Sequence, residues 1–500
     1  MTELILVGIF IGFNINKEEA TFDDDSSESK QVKQENTLSV MIEQTAGAGD
    51  YKMETRSTWP TDGYMFNETL SKCENGGELG WDSEKGVVTM TGNMSDKCYV
   101  YFDIYIAPNI ISDVCSTGSN LASCIKIFGN NGKSSNTNLY HHDGTLENGI
   151  DDGSYRYAGG DYVLTSTAID AGLTELYVKD SSATNGVINF YCNDTKYYVG
   201  KKCDVSYTRY FTLQYDINNT QYSTYSEAID KAVSDGYLTK DNVKNYVCFG
   251  SDETICSTDN LYRIIGVFGD QVKLIKYDYA TTTQLGIDGD YYAAYSEPRG
   301  SDSTMGLNAL TSIGAYYWNY KVTESAINTW STSLLNKTNL NTNYISYLDN
   351  IDTKWANMIA TTTWKVGGNT YNKIGKVVAK TAYQNEITTP AISSTCNCKI
   401  GLMYVSDYGF AASSSAWSTV LSSYNNSSIT SVNWMHMGLM EWSITRESDN
   451  SYGVFQIGLN GSVGTNGTSV YWTARPAFYL NSDVTYVSGT GTSSDPIRIE

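Results

Sequence analysis

The stretch from Met440 to Leu480 sets the tightest limits on the fold. Val454-Phe455-Gln456-Ile457 and Ser462-Val463 flank Leu459-Asn460-Gly461. Asn-Gly between apolar segments is the strongest short hairpin signal, because a type I′ turn needs φ > 0 at both central residues. Ala474-Arg475-Pro476-Ala477-Phe478-Tyr479-Leu480 then reads as a closing strand. Proline at its entry costs no ladder bond, whereas in its middle it would. Arg475 brings five donors to that entry, enough to lock neighbouring carbonyls and carboxylates. A structural role is expected of it, and of Trp442 and Arg446 in the preceding apolar run.

Upstream, Asn260–Phe268 and Gln271–Tyr277 flank Gly269-Asp270 and predict a second hairpin. Thr224-Tyr225-Ser226-Glu227 fits a capping box, with an apolar stripe at Ala228, Ile229, Ala232 and Val233 and a stop at Gly236. Asp241–Tyr246 reads as a further short helix. Residues 330–359 read as two or three helical pieces, 361–371 as a hairpin, and Ile400–Tyr408 as a central strand. The segment 279–320 is long and irregular, which inside a compact domain usually marks function.

The ten cysteines fall as neighbours: Cys73/Cys98, Cys115/Cys124, Cys192/Cys203, Cys248/Cys256 and Cys396/Cys398. None has CxxC spacing, so no zinc pattern exists. An even count in a Tyr- and Asn-rich chain argues for disulfides in an oxidising compartment. The first four pairs are the expected bridges, each contributing roughly 2–4 kcal/mol. Cys396 and Cys398 are open between a chelating or redox pair and a loop disulfide.

Acidic residues outnumber basic ones, 55 against 34, for a net charge of −21. Nucleic acid and anionic membrane surfaces both need a basic footprint, so neither is an expected partner. Leu4–Phe13 is apolar but shorter than the about 20 residues that span a bilayer. It suits the remnant of a signal anchor at a truncated gene start, followed by a disordered acidic stalk to residue 36. No apolar tail follows Glu500, so any membrane tether is expected at the N-terminus.

The fold class expected is α+β, β-rich and multidomain. Residues 37–106 form a small immunoglobulin-like β module, 107–222 a second disulfide-stapled β module, and 223–259 a helical connector. These modules are β-sandwich-like. His141-His142-Asp143 reads as a solvated loop in preference to a metal site, since adjacent side chains rarely face one ion. Nucleophile-elbow, Walker, HExxH and EF-hand patterns are missing. Asp407, Glu441 and Asp449 could pair as acid and base, but salt bridges to Arg446 or Arg475 are the expected use. Asp288-Gly289-Asp290 could hold calcium weakly. No catalytic residue, metal ligand or cofactor is therefore expected. His436 is expected to be partly buried among its apolar neighbours.

Trp442–Arg446, the hairpin and Arg475–Leu480 resemble the closing strands of a C-type-lectin-like domain, in the variant of formylglycine-generating-enzyme-like proteins and of retroelement variable proteins. A nearer likeness, carried also by Asn260–Phe268, Ile400–Tyr408 and Met437–Arg446, is to uncharacterised surface proteins of gut Firmicutes. The resemblance implies a C-type-lectin-like domain over 260–500; the helices, strands and apolar runs within those residues, and their size, predict that they fold alone. The enzyme's cysteine and copper chemistry does not transfer to the Cys396-Asn397-Cys398 arrangement. The lectin Trp-Asn-Asp calcium motif is missing at Tyr317-Trp318-Asn319-Tyr320. What remains is a surface rich in Tyr, Ser, Gly and Asn, a composition suited to adaptable recognition. Tyr316, Tyr317, Trp318, Tyr452, Tyr471 and Trp472 are the expected ligand contacts. The function expected is a secreted or membrane-tethered binding or adhesion protein that holds a protein or glycan without catalysis. The alternatives are a glycan or cell-wall hydrolase and a non-binding structural envelope protein.

Overall fold

The computed structural model describes residues 38–500 apart from 55–57, 61–62, 83–84, 93–95, 106–107, 131–137, 174–177, 181–210, 214, 223–224, 240–241, 287–313, 320–327, 371–376, 426–428, 430–431, 438 and 459. The expected anchor and stalk, Cys192 and Cys203, the Thr224 cap and Asp288–Asp290 lie outside the described residues. The chain is α+β and β-rich, and divides into two compact units, Met1–Ala107 and Pro108–Glu500.

In the first unit, Leu38–Glu43 and Cys98–Ile104 run parallel at the centre of a five-stranded sheet, flanked by Tyr51–Glu54 and Tyr64–Phe66. Side chains alternate along Cys98–Ile104, so Val100 and Phe102 turn inward with Val40 and Ile42. Val87, Val88 and Trp59 complete that core. Cys73 and Cys98 sit directly opposite in register and are bridged. Asp96 beside them accepts from the backbone N–H groups of Asn75, Gly77 and Lys97.

The second unit is built on a wholly antiparallel seven-stranded sheet. Its order is Ile400–Gly401, Ala477–Tyr479, Gln271–Lys276, Leu261–Phe268, Asp151–Tyr157, Leu139–Asp143, with Tyr246–Cys248 also paired to Leu261–Phe268. The 261–276 hairpin forms as the Gly269-Asp270 turn signal requires, Phe268 facing Gln271. Gly266 faces Arg156 in the neighbouring strand, and a Cβ there would lie 2.2 Å from the Tyr155 carbonyl oxygen. Only glycine lets the two backbones approach this closely.

This sheet corrects the expected domain map. Strands from 107–222 and from 260–500 share one sheet and one core. The cause is pairing across about a hundred residues, which no local pattern encodes. His141 and His142 are likewise strand residues, and His142 is buried against Phe410 and Trp417 instead of solvated. A helix over Leu121–Asn130 buries Leu121, Ala122, Ile125 and Phe128, the spacing of one helical face. Asn120 caps it by accepting from the Ser123 N–H at 3.0 Å.

Other local expectations change too. Asp241–Tyr246 forms no helix among its described residues, and Tyr246 opens a strand. Thr362–Lys365 pairs with Thr395–Cys398, not with its own continuation. Gly368–Asn369 instead joins Glu441–Glu447 in parallel. Of the expected strand 400–408 only Ile400–Gly401 remains, and Val405–Ala411 is helical. Asp407 explains the switch: its Oδ2 accepts from the Tyr404 N–H at 2.9 Å and so closes the first turn. The helical pieces at 330–332, 335–344, 345–351 and 353–358 do form.

Glu441–Glu447, Gly453–Ile457 and Val463–Gly467 make an antiparallel meander extended by Gly368–Asn369. The 453–467 hairpin forms, with a three-residue loop in place of the two-residue turn: Gly458 N–H donates to Ser462, Gly461 N–H returns to Gly458, and Gly461 takes φ +86°.

Candidate functional site

Between Glu447 and the hairpin lies a cleft of about 420 Å³, lined by Glu447, Asp449, Asn450, Tyr452, Gly453, Thr465, Asn466 and Gly467. The turn that lines it is fixed by one amide. Asn328 Nδ2 donates to the carbonyls of Glu447 (3.1 Å), Asn450 (2.8 Å) and Gly453 (2.8 Å), and ties the turn to both strands. A Cβ on Gly453 would meet Glu447 Oε2 at 1.9 Å, so glycine is what admits the carboxylate.

The polar groups present a mixed set. Asn450 Oδ1 accepts from the Tyr452 N–H and Asn466 Oδ1 from the Gly467 N–H, both at 2.9 Å, which leaves each amide NH₂ as a donor. Thr465 adds a hydroxyl. Glu447 is only 3 % exposed, and its Oε2 has no hydrogen-bond partner among the described residues. A buried acceptor left unpaired is costly, which favours anything that brings it a donor. Tyr452 stands at the rim, 44 % exposed. No lysine or arginine lines the cleft.

A second polar assembly lies inside the unit. Lys273 Nζ donates to Asp407 Oδ2 at 2.6 Å, and Arg156 Nη1 reaches Asp407 Oδ1 at 3.5 Å. Arg156 also pairs with Asp152 at 2.8 Å and hydrogen-bonds Ser154 Oγ at 2.9 Å. Glu386 accepts from Thr445 Oγ1 (2.6 Å) and the Ser406 N–H (3.2 Å). Burial raises its pKa to about 7, and burial pushes Lys273 down from the usual lysine range. Asp152 is held at about 2: burial works against this, but the Arg156 charge and the Ser154 and Arg156 hydrogen bonds outweigh it.

The expected contact residues divide. Tyr452 is at the cleft. Tyr316, Tyr317, Trp318 and Trp472 are buried, and Tyr471 is half-buried. Tyr316 faces Trp472 and Tyr317 faces Tyr471 in a two-stranded ribbon. Trp318 Nε1 donates to the Ser443 carbonyl and Trp442 Nε1 to that of Tyr316. These rings are core, not display, because two aromatic segments far apart in sequence satisfy one another. Arg475 is buried, bonded to Glu441 at 2.7 and 2.9 Å and to the Met435 carbonyl at 2.7 Å. Arg446 is buried without an ion pair among the described residues. Of the carboxylates weighed as an acid–base pair, Asp407 and Glu441 are taken up in buried ion pairs, and Asp449 lines the cleft. His436 is half-buried, with a pKa lowered to about 4 by burial and then by Arg475.

Glu447, Asn450, Thr465 and Asn466 were not singled out from sequence. The available signal was a dense polar run, Glu447–Asn450, leading straight into the hairpin. Cys73–Cys98, Cys115–Cys124, Cys248–Cys256 and Cys396–Cys398 are disulfides. Among the described residues no helix is long and apolar enough to cross a membrane. No family model, curated protein or solved structure matches the chain.

Proposed function

We propose that the chain is an extracellular or cell-surface binding protein, tethered by an N-terminal anchor, whose C-terminal unit is a C-type-lectin-like module holding a glycan. The cleft beside Tyr452 carries this reading. Free amide donors, a hydroxyl, an unpaired carboxylate oxygen and one exposed ring are together the chemistry that meets a sugar: alternate hydroxyls bonded, one face stacked. The size suits one or two sugar residues, within the about 300–1,000 Å³ range of small-ligand sites. Two carboxylates and no cation in the lining favour neutral or basic sugars over sialylated, uronic or phosphorylated ones. Four disulfides among the described residues support an oxidising compartment.

The test is a glycan array probed with the full chain and with Tyr452→Ala. Retention on neutral or amino glycans that disappears in the variant is expected. A protein ligand captured with equal strength by both proteins would move the site away from the cleft.

A further inference from the structure

We propose that Lys273 and Asp407 condense with one another into an intramolecular amide, which cross-links the 271–276 strand to the 405–411 helix. Their contact is made from opposite parts of the fold: Lys273 lies in the centre of the seven-stranded sheet, Asp407 in the first turn of the helix. Nζ and Oδ2 are 2.6 Å apart, and the two side chains are 0 % and 2 % exposed. Tyr404, Trp364, Tyr479 and Phe268 surround the ammonium, with ring centres 4.3, 5.1, 5.3 and 5.7 Å away.

This geometry differs from an ordinary ion pair in three ways that favour bond formation. The reactants are held together permanently, so the bimolecular entropy cost is already met. The enclosure is dry, which disfavours the charged pair and suppresses the reverse hydrolysis. Donors are fixed on both carboxylate oxygens: Arg156 reaches Oδ1, and the Tyr404 N–H lies 2.9 Å from Oδ2. Arg156 is thus placed to stabilise the oxyanion that develops on Oδ1.

The step balances without any co-reactant. Nζ must be neutral to attack, and burial pushes Lys273 in that direction. Its lone pair forms the bond to Cγ. Two protons leave the ammonium-derived nitrogen, and one more stays on it as the amide N–H. Oδ2 departs with those two protons as water, and Oδ1 remains as the amide oxygen. Ammonium and carboxylate thus become amide and water. Glu386 is the group assigned to carry the protons. It sits at the N–H of Ser406, adjacent to Asp407, and interacts electrostatically with both Lys273 and Asp407. With a pKa of about 7 it both accepts and releases a proton near neutrality.

The experiment is an intact-mass measurement on the full chain, denatured and fully reduced, followed by peptide mapping. The expected mass is below that of the sequence by one water, with a branched peptide joining the Lys273 and Asp407 segments. Glu386→Gln, which keeps the shape of the side chain and one of its two acceptor oxygens, is expected to fold with the full mass. Lys273→Met is expected to show no branched peptide. A wild-type chain of full mass, with Lys273 recovered in a linear peptide, would overturn the cross-link. Loss of water in both wild type and Glu386→Gln would overturn the role given to Glu386. The mass of the wild type decides the main question even if every variant misfolds.

Discussion

Arg475→Ala isolates the ion pair that closes the second unit. Arg475 and Glu441 are 1 % and 2 % exposed, and the guanidinium makes two bonds to the carboxylate and one to the Met435 carbonyl. Truncation leaves Glu441 charged or protonated in a dry site with no partner. Removing one member of a buried pair costs about 3–5 kcal/mol. For a unit of this size that corresponds to a fall in Tm of about 4–6 °C. Burial already raises the Glu441 pKa, so the orphaned carboxyl will hold its proton more readily. Glu441→Gln alone is expected to cost a comparable amount, since Arg475 then loses its counter-charge. The double change Arg475→Met with Glu441→Leu is expected to recover much of the loss, because no charge is left buried. The assay is a set of urea and thermal unfolding curves for the four proteins. An Arg475→Ala chain within about 0.5 kcal/mol of wild type, the range of ordinary surface substitutions, would refute this reasoning.

Three further outcomes follow from the same structure. A fragment beginning at residue 260 loses the Asp151–Tyr157 strand and the Asp161 partner of Arg263, so it is expected to melt without cooperativity, while a fragment from residue 108 melts as one unit; a cooperative 260–500 fragment would contradict the shared sheet. His142 is held neutral in the fold with a pKa of about 3, below its unfolded value, so its contribution is complete above about pH 6.5 and is lost as pH falls towards 3, by up to about 5 kcal/mol. His142→Gln should therefore lose less stability than wild type between pH 7 and pH 4, and equal losses would refute the assignment. Non-reducing peptide mapping is expected to recover 73–98, 115–124, 248–256 and 396–398 as disulfides, and free thiols at most of these positions would also remove the support for an oxidising compartment.

Local chemistry was legible in the sequence and long-range pairing was not. The Gly269-Asp270 turn, the 225–234 helix with its glycine stop and the sequential cysteine pairs are each written within a few residues. The partnership of 139–157 with 261–268, and of Gly368–Asn369 with Glu441–Glu447, depends on segments too distant for any periodicity to reveal. The helix at 405–411 hid inside an apolar run because helix and strand look alike there, and only Asp407 as a cap separates them. For the candidate site, Tyr452 and its hairpin could be read directly. The remaining tyrosines and tryptophans could not be sorted, since the composition of a recognition surface and that of an aromatic core are the same until the pairing of 316–317 with 471–472 is known. Glu447 gained its significance only from burial without a partner.

The most direct measurement is a calorimetric titration of a glycan retained by the wild-type chain against wild type, Tyr452→Ala and Asn466→Ala, each with a melting curve. The cleft reading expects both variants to keep the wild-type Tm within the small range of surface changes and to lose about tenfold or more in affinity, about 1.4 kcal/mol each. Undiminished affinity in both variants would contradict it.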